Sequence, residues 1–463
     1  MPDVSRYDAI IIGSGQAGGP LSTELARAGR HVALIERAFV GGTCINYGCT
    51  PTKTMVASAR VAYLARRGPE YGVNVSGVSI DQAIVRQRTR DMVERFRAGS
   101  ESSITGTPGV DLIYGEATFT GQKTIRVTGS DGNEQDLTAD LVFINTGARS
   151  APPTFDGIDT VPYLDSTSVM ELAETPRHLL VLGGGYIGLE FAQMFRRFGS
   201  EVTVVHRGRR IMQREDEDIT DCLQQILEED GISLRLQSEA TAVRMSGDSI
   251  EVTITAPDGD RTVTGSHLLV ATGRIPNTDR LNLPATGVEA DDKGYVTVNE
   301  RLETGVDGIY ALGDVKGGPA FTHISYDDYR IVRDNLLRGG SRTTGDRPVP
   351  YVVFTDPELG RIGLSEQEAK EGGKEVLVAT MPMSSVARAS ESAETRGMMK
   401  VLVDPETDRI VGAAILGLFG GEIMSHYQLA MMGGLTCDQL ADAVFAHPTL
   451  AEATNNLISK LAR

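Results

Sequence analysis

The sequence predicts an α/β chain from three observations. An apolar run from Tyr7 to Ile12 turns through Gly13-Ser14-Gly15-Gln16-Ala17-Gly18 into a helical stretch and returns as Val32-Ala33-Leu34-Ile35-Glu36. The same pattern recurs as Leu179 to Leu182, then Gly183-Gly184-Gly185-Tyr186-Ile187-Gly188, a helix from about Leu189, and Val202-Thr203-Val204-Val205. Near the C-terminus the pattern changes: Lys400 to Val403, a turn at 404–408 and Arg409 to Ile415 read as strand, turn, strand, and 422–432 reads as a helix. Together these predict two Rossmann-like dinucleotide-binding domains followed by a C-terminal α+β domain.

At 463 residues the chain exceeds one core, and roughly three domains are expected. The net charge of −17 disfavours a nucleic-acid partner, since phosphate binding needs clustered positive surface. No run of about 18 apolar residues is present, so no membrane partner is expected. The segment from Met1 to Tyr7 lacks the basic stretch, apolar core and cleavage site of a secretory leader, which predicts a cytoplasmic location. The four cysteines, Cys44, Cys49, Cys222 and Cys437, are too sparse for a structural disulfide framework.

In each glycine motif the first glycine (Gly13, Gly183) permits the tight turn and the second (Gly15, Gly185) admits a pyrophosphate against the backbone. The third (Gly18, Gly188) lets helix pack on strand, with the helix N-terminus facing the negative charge. Asn145-Thr146-Gly147 and Ala271-Thr272-Gly273 each follow an apolar strand, 141–144 and 268–270, and close the two nucleotide domains. Ala151-Pro152-Pro153 reads as a crossover and Arg342 to Pro350 as a linker. The expected domains are therefore 1–150 with 275–345, 151–274, and 346–463.

A carboxylate at the end of the second strand of such a unit accepts hydrogen bonds from a ribose diol, and Glu36 stands there, 23 positions after Gly13. The equivalent position after Gly183 is His206, followed by Arg207, Gly208, Arg209 and Arg210. Cations there suit a 2′-phosphate, so NADPH is expected in preference to NADH; the alternative is a solvated basic loop.

The first unit leads into Gly41-Gly42-Thr43-Cys44-Ile45-Asn46-Tyr47-Gly48-Cys49-Thr50-Pro51-Thr52-Lys53. No second Cys/His pair completes a tetrahedral zinc site, and no metal site is expected. The segment 52–65 has helical composition, so a Cys49 thiolate near its start would be stabilised by backbone N–H groups and the helix dipole. A disulfide beside a flavin can take up two electrons and pass them on by thiolate exchange. His447 has a carboxylate five residues on, Glu452, which can orient the imidazole and keep it basic, although His-Pro-Thr also suits a capped turn. Cys222, Cys437, His31, His178 and His267 are assigned no role.

The motifs Gly13 to Gly18 with Glu36, Gly42 to Lys53, Gly183 to Glu190, Ala271 to Asn277, Ala311-Leu312-Gly313-Asp314 and His447 to Glu452 resemble the pyridine-nucleotide disulfide oxidoreductases over nearly the whole chain. That family includes dihydrolipoamide dehydrogenase, glutathione reductase and mercuric reductase. The resemblance implies an FAD domain, an NAD(P) domain and a C-terminal dimerisation domain of a homodimer. It implies that Glu36 binds the FAD adenosine ribose, that Asp314 binds the ribityl chain and flavin end, and that Gly42, Thr43, Thr146 and Gly147 line the same cofactor. Lys53 would lie near flavin N5 paired with Glu190, Tyr186 would cover the nicotinamide pocket, and Gly273 would border NADPH. Cys49 would face the flavin, Cys44 would be the interchange thiol, and His447 held by Glu452 would be the acid/base reaching from the second subunit.

Phe321 to Arg330, and Val386-Ala387-Arg388-Ala389 within Pro382 to Thr395, resemble the mercuric-reductase-like branch, which also contains flavoproteins linked to reactive-chlorine and copper stress. An N-terminal metal-binding domain and a C-terminal vicinal cysteine pair are missing, and His447-Pro448 stands where mercuric reductases tend to carry a tyrosine. Hg(II) is thus one candidate acceptor beside Cu(II), a disulfide or a small oxidant. Dihydrolipoamide dehydrogenase is the alternative enzyme, and a redox sensor or complex subunit with little turnover is the alternative of another class.

Overall fold

The computed structural model describes residues 4–345 and 347–461; positions 1–3, 462–463, and position 346 within the expected linker, lie outside the described residues. The chain forms two compact units. One holds the residues up to Thr54, Ile84–Pro152 and Gly273–Arg347; the other holds Met55–Ala83, Pro153–Thr272 and the residues from Pro348 onward.

In the first unit, β1 (Val4–Ile12), α1 (Gly18–Arg27) and β2 (Val32–Glu36) form the expected βαβ motif. The strand begins earlier than the apolar run because Val4 to Tyr7 pair in parallel with Asp136 to Ala139. A seven-stranded sheet results, ordered Val110–Tyr114, β2, β1, Glu134–Ile144, Thr124–Thr128, Glu116–Gly121, with Ile309–Ala311 also pairing with Glu134–Ile144. Ile10, Ile12, Ile35, Val142 and Ile144 pack into one core. Ala9, Ile11, Leu34 and Phe143 pack into a second. Alternating residues of each strand thus reach opposite cores, which is why these strands read as unbroken apolar runs. Each fully buried aliphatic side chain stabilises the fold by about 1.5–3 kcal/mol.

Beyond β2 the chain forms a short helix, α2 (Gly42–Asn46), then α3 (Cys49–Arg66) and α4 (Gln82–Thr105). Expected only from Thr52, α3 starts at Cys49. Pro51 lies in its first turn, where its missing N–H costs nothing.

The second unit repeats the motif with His178–Leu182, α5 (Tyr186–Phe198) and Glu201–Val205; its two strands belong to a five-stranded parallel sheet with Ser233–Arg235, His267–Val270 and Tyr163–Leu164. The helix α5 starts at Tyr186 rather than about Leu189, because Gly185 caps it in an extended conformation. Gly188 sits inside it, where a Cβ would strike the Gly183 carbonyl. After α6 (Glu217–Glu229) come a three-stranded antiparallel sheet and a five-stranded antiparallel sheet in the C-terminal region. The latter contains Met398–Asp404 and Arg409–Gly417, and the helix Gly420–Gly433 packs on its core. Among the described residues no helix is long and apolar enough to cross a membrane.

Candidate active site

Two helix N-termini meet at the cysteine pair. Cys49 is the first residue of α3, and Thr322 is the first residue of α7 (Thr322–Leu337). The Cys49 Sγ lies 3.3 Å from Thr322 Oγ1. Cys44 is partly buried and Cys49 exposed. The Cys44 thiol is pushed far above its ordinary range, first by its hydrogen bond to Cys49, then by burial and by the charge on Cys49, against smaller opposing effects of Thr322 and Lys53. The hydroxyl of Thr322 reaches the pair at the positive end of α7 and is suited to support a thiolate. In the reduced protein Thr322→Val is expected to move thiolate formation, followed by ultraviolet absorbance against pH, upward by about one pH unit, the effect of losing one charge-assisted hydrogen bond at a part-exposed site. Thr322→Ser should restore it; coincident Val and wild-type curves would reject the contact.

Around the first glycine motif, a Cβ at Gly18 would collide with the Gly13 carbonyl, and one at Gly42 would lie 2.7 Å from Gly15 Cα. The turn and α2 thus form a cradle with backbone bare on both sides. Glu36 is 9% exposed and already oriented: Oε2 accepts from Ser14 N (3.1 Å) and Ser14 Oγ (2.6 Å), and Oε1 accepts from Ala38 N (3.0 Å). Thr146 Oγ1 is buried without a hydrogen-bond partner, a group that a bound cofactor would satisfy. Asn145 donates to the Gly13 carbonyl at 3.1 Å and Asn277 to the Thr146 carbonyl at 2.8 Å. Gly147 accepts from Asn277 N at 2.9 Å. Asp314 pairs with Arg274 at 3.1 Å, and the loop before it is held by Asp328, whose carboxylate accepts from Gly313 N at 2.8 Å. Thr43 is exposed on α2. These residues fit an FAD.

In the second unit Gly183, Gly185 and Gly188 make the matching turn, with Tyr186 exposed at the start of α5 and Glu190 buried on it, accepting from Phe354 N at 2.9 Å. The Gly273 carbonyl accepts from Ala151 N at 3.0 Å beside the pairing of Ala148–Ser150 with Arg274–Pro276. The cationic reading of His206 needs correcting. Its Nδ1 accepts from Gly184 N at 3.2 Å and burial lowers its pKa, so the ring is a neutral prop for the glycine loop. Arg210 is engaged by Asp221 and Glu217. Arg207 and Arg209, beside it, are exposed and make no ion pair among the described residues.

His447 lies 3.0 Å from both carboxylate oxygens of Glu452, through Nδ1, while its own side chain is exposed. The capped turn is present as well, since Thr449 Oγ1 accepts from Glu452 N at 3.3 Å. The same segment therefore satisfies both descriptions. Lys53 lies close enough to Cys44 for its charge to act on the thiol. Among the described residues one acidic group is spaced to hold a metal ion, Asp216, Asp218 and Glu366, but it closes on the ammonium of Lys400, which is 1% exposed.

Thr322, Ser14, Asn145 and Asp328 lie within motifs named from the sequence but carry no individual role there. Asp328 alone left a signal: it interrupts the apolar face formed by Ile324, Ile331 and Val332 on α7, and a carboxylate there needs buried partners. It finds Arg347 at 2.7 Å and Lys316 at 3.3 Å besides Gly313.

With a βαβ motif in each unit and a dithiol after the first motif, the chain has the parts of a flavin-linked thiol oxidoreductase. Residues 7–328 match the family model described as pyridine nucleotide-disulphide oxidoreductase, and 349–458 match the dimerisation domain of the same family. The chain belongs to the pyridine nucleotide-disulphide oxidoreductases, a family of flavoproteins that use a nicotinamide nucleotide. Over 460 residues it is 40% identical to the probable pyridine nucleotide-disulfide oxidoreductase RclA of Escherichia coli (strain K12), covering 98% of this chain and 99% of that one. It is 37% identical to a mercuric reductase of Staphylococcus aureus, covering 96% and 81% respectively. The solved Cu(II) complex of the HOCl-induced flavoprotein disulfide reductase RclA from Escherichia coli superposes with a TM-score of 0.90 at 38% identity, covering 98% of this chain and 99% of that chain.

Proposed function

We propose that this protein is an FAD-dependent oxidoreductase that draws electrons from NADPH and passes them through Cys44 and Cys49 to a small acceptor, a metal ion such as Cu(II) or Hg(II) in the first instance. The observation that carries this reading is the placement of the two thiols: Cys49 begins α3, 3.3 Å from the hydroxyl of Thr322 at the start of α7, and Cys44 lies on the preceding helix α2. FAD, when bound, supplies the two-electron link between nucleotide and thiols. Gly13, Gly15 and Gly18 offer backbone to its pyrophosphate and Glu36 accepts from its adenosine ribose, while Gly42, Thr43, Thr146, Gly147 and Asp314 line the rest. Lys53 and Glu190 pair near the flavin, and Tyr186 covers the nicotinamide. Cys49 faces the flavin and Cys44 the acceptor.

In the same proposal the protein works as a homodimer, and His447, oriented through Nδ1 by Glu452, offers Nε2 to take a proton at the acceptor side of the partner subunit. Copper is favoured as an acceptor because the similar RclA structure is described as a Cu(II) complex. The retained His447 and Glu452 pair favours a second reading, dihydrolipoamide dehydrogenase. The deciding experiment measures NADPH oxidation by the purified flavin-loaded protein with Cu(II), Hg(II), lipoamide, glutathione disulfide and quinones as acceptors. Turnover with a metal ion at least about tenfold above lipoamide is expected. Preference for lipoamide would establish the second reading, and no turnover with any acceptor would leave a sensor or complex subunit.

A further inference from the structure

We infer that Arg97 is a positioning residue for the cysteine pair, a role that rests on the thiol chemistry proposed above. It stands in α4, far from either cysteine in sequence, yet its Nε donates to Asn46 Oδ1 at 2.7 Å. Its guanidinium carbon lies 3.9 Å from the centre of the Phe39 ring. Among the described residues this half-buried cation makes no ion pair. Its hydrogen bond and its stacking contact are with one amide and one aromatic ring, both on the segment that leads into the thiols.

Asn46 ends α2, the helix that carries Cys44, and is 6% exposed. Its Nδ2 donates to the carbonyls of Val40 (2.9 Å) and Gly42 (3.0 Å), and more loosely to that of Phe39 (3.4 Å). Gly41 and Gly42 between them have positive φ, so no side chain stiffens that turn; the Asn46 amide ties it together from inside. Arg97 can only donate, so it holds Oδ1 toward itself and Nδ2 toward the three carbonyls. The planar guanidinium donates at its edge while stacking its face on Phe39, a combination that lysine cannot make.

The geometry therefore assigns Arg97 and Asn46 to one strut that fixes the turn before Cys44 and the helix beneath it. Closing the disulfide joins Cys44 Sγ to Cys49 Sγ and releases two electrons and two protons, and it is favoured when the thiols are held near each other. A loosened strut lowers their effective concentration and disfavours the disulfide relative to the dithiol.

The test equilibrates the full-length flavin-loaded protein in dithiothreitol redox buffers, where the protein dithiol and oxidised dithiothreitol exchange for the protein disulfide and reduced dithiothreitol. Alkylation and intact-mass spectrometry read the ratio. Arg97→Ala is expected to lower the disulfide-to-dithiol ratio about tenfold, which is about 30 mV for a two-electron couple. Arg97→Lys, keeping the donor and losing the stack, should fall between. Asn46→Asp keeps a partner for Arg97 but cannot donate to the carbonyls, and should shift the ratio as far as Arg97→Ala. The double variant should add little.

A ratio for Arg97→Ala within twofold of wild type overturns the role, as does full additivity in the double variant. If Arg97→Ala does not fold, Arg97→Gln is judged by the same twofold limit. A wild-type protein with no dithiol-to-disulfide transition would instead refute the thiol chemistry itself, which keeps the two failures apart.

Discussion

A Cys49→Ser protein is expected to bind flavin and be reduced by NADPH, yet to lack the long-wavelength thiolate-to-flavin absorbance and to lose acceptor turnover by about 10³-fold or more, about 4 kcal/mol of barrier. Cys44→Ser should lose turnover equally but show that absorbance before any reductant is added, because Cys49 then has no sulfur to bond. The asymmetry follows from the site: Cys49 sits at the start of α3 against Thr322, whereas the hydrogen bond to Cys49 and burial push the Cys44 thiol up. If Cys44→Ser abolishes the band and Cys49→Ser preserves it, the two roles are reversed.

The second large effect concerns the nucleotide. Arg207→Ala with Arg209→Ala is expected to raise the KM for NADPH about 100-fold and leave that for NADH within about threefold, since charge-assisted contacts to a phosphate contribute about 1.5–3 kcal/mol each. His206→Ala should instead weaken both nucleotides to the same degree, because it removes the acceptor of Gly184 N–H rather than a charge. Steady-state kinetics with each nucleotide separate these outcomes. A selective loss of NADPH in His206→Ala would restore that residue to phosphate binding.

Much of this site was legible along the chain because its chemistry is local. Gly13 to Gly18 and Gly183 to Gly188 are each contiguous, and the backbone freedom they need is a property of residue type. Cys44 and Cys49 are neighbours across a short turn, and His447 meets Glu452 five residues on. Local signals still misled where partners were distant. His206 read as part of a cationic cluster because Arg207 follows it, whereas burial and the Gly184 N–H make it neutral. Lys400 read as a strand position and nothing more; it is buried against acids from α6 and from Glu366.

By itself the sequence determined the α/β class, the two glycine turns, the dithiol and the oriented histidine, since periodicity, turn chemistry and short spacings are written in consecutive residues. Only the tertiary structure decided which hydroxyl meets Cys49, which acid holds the loop before Asp314 and which cation braces the turn before Cys44. Thr322, Asp328 and Arg97 act on atoms that lie far from them along the chain. Such contacts exist only once the sheet and helices have packed, because neither hydrophobic periodicity nor spacing carries information about a partner on another element.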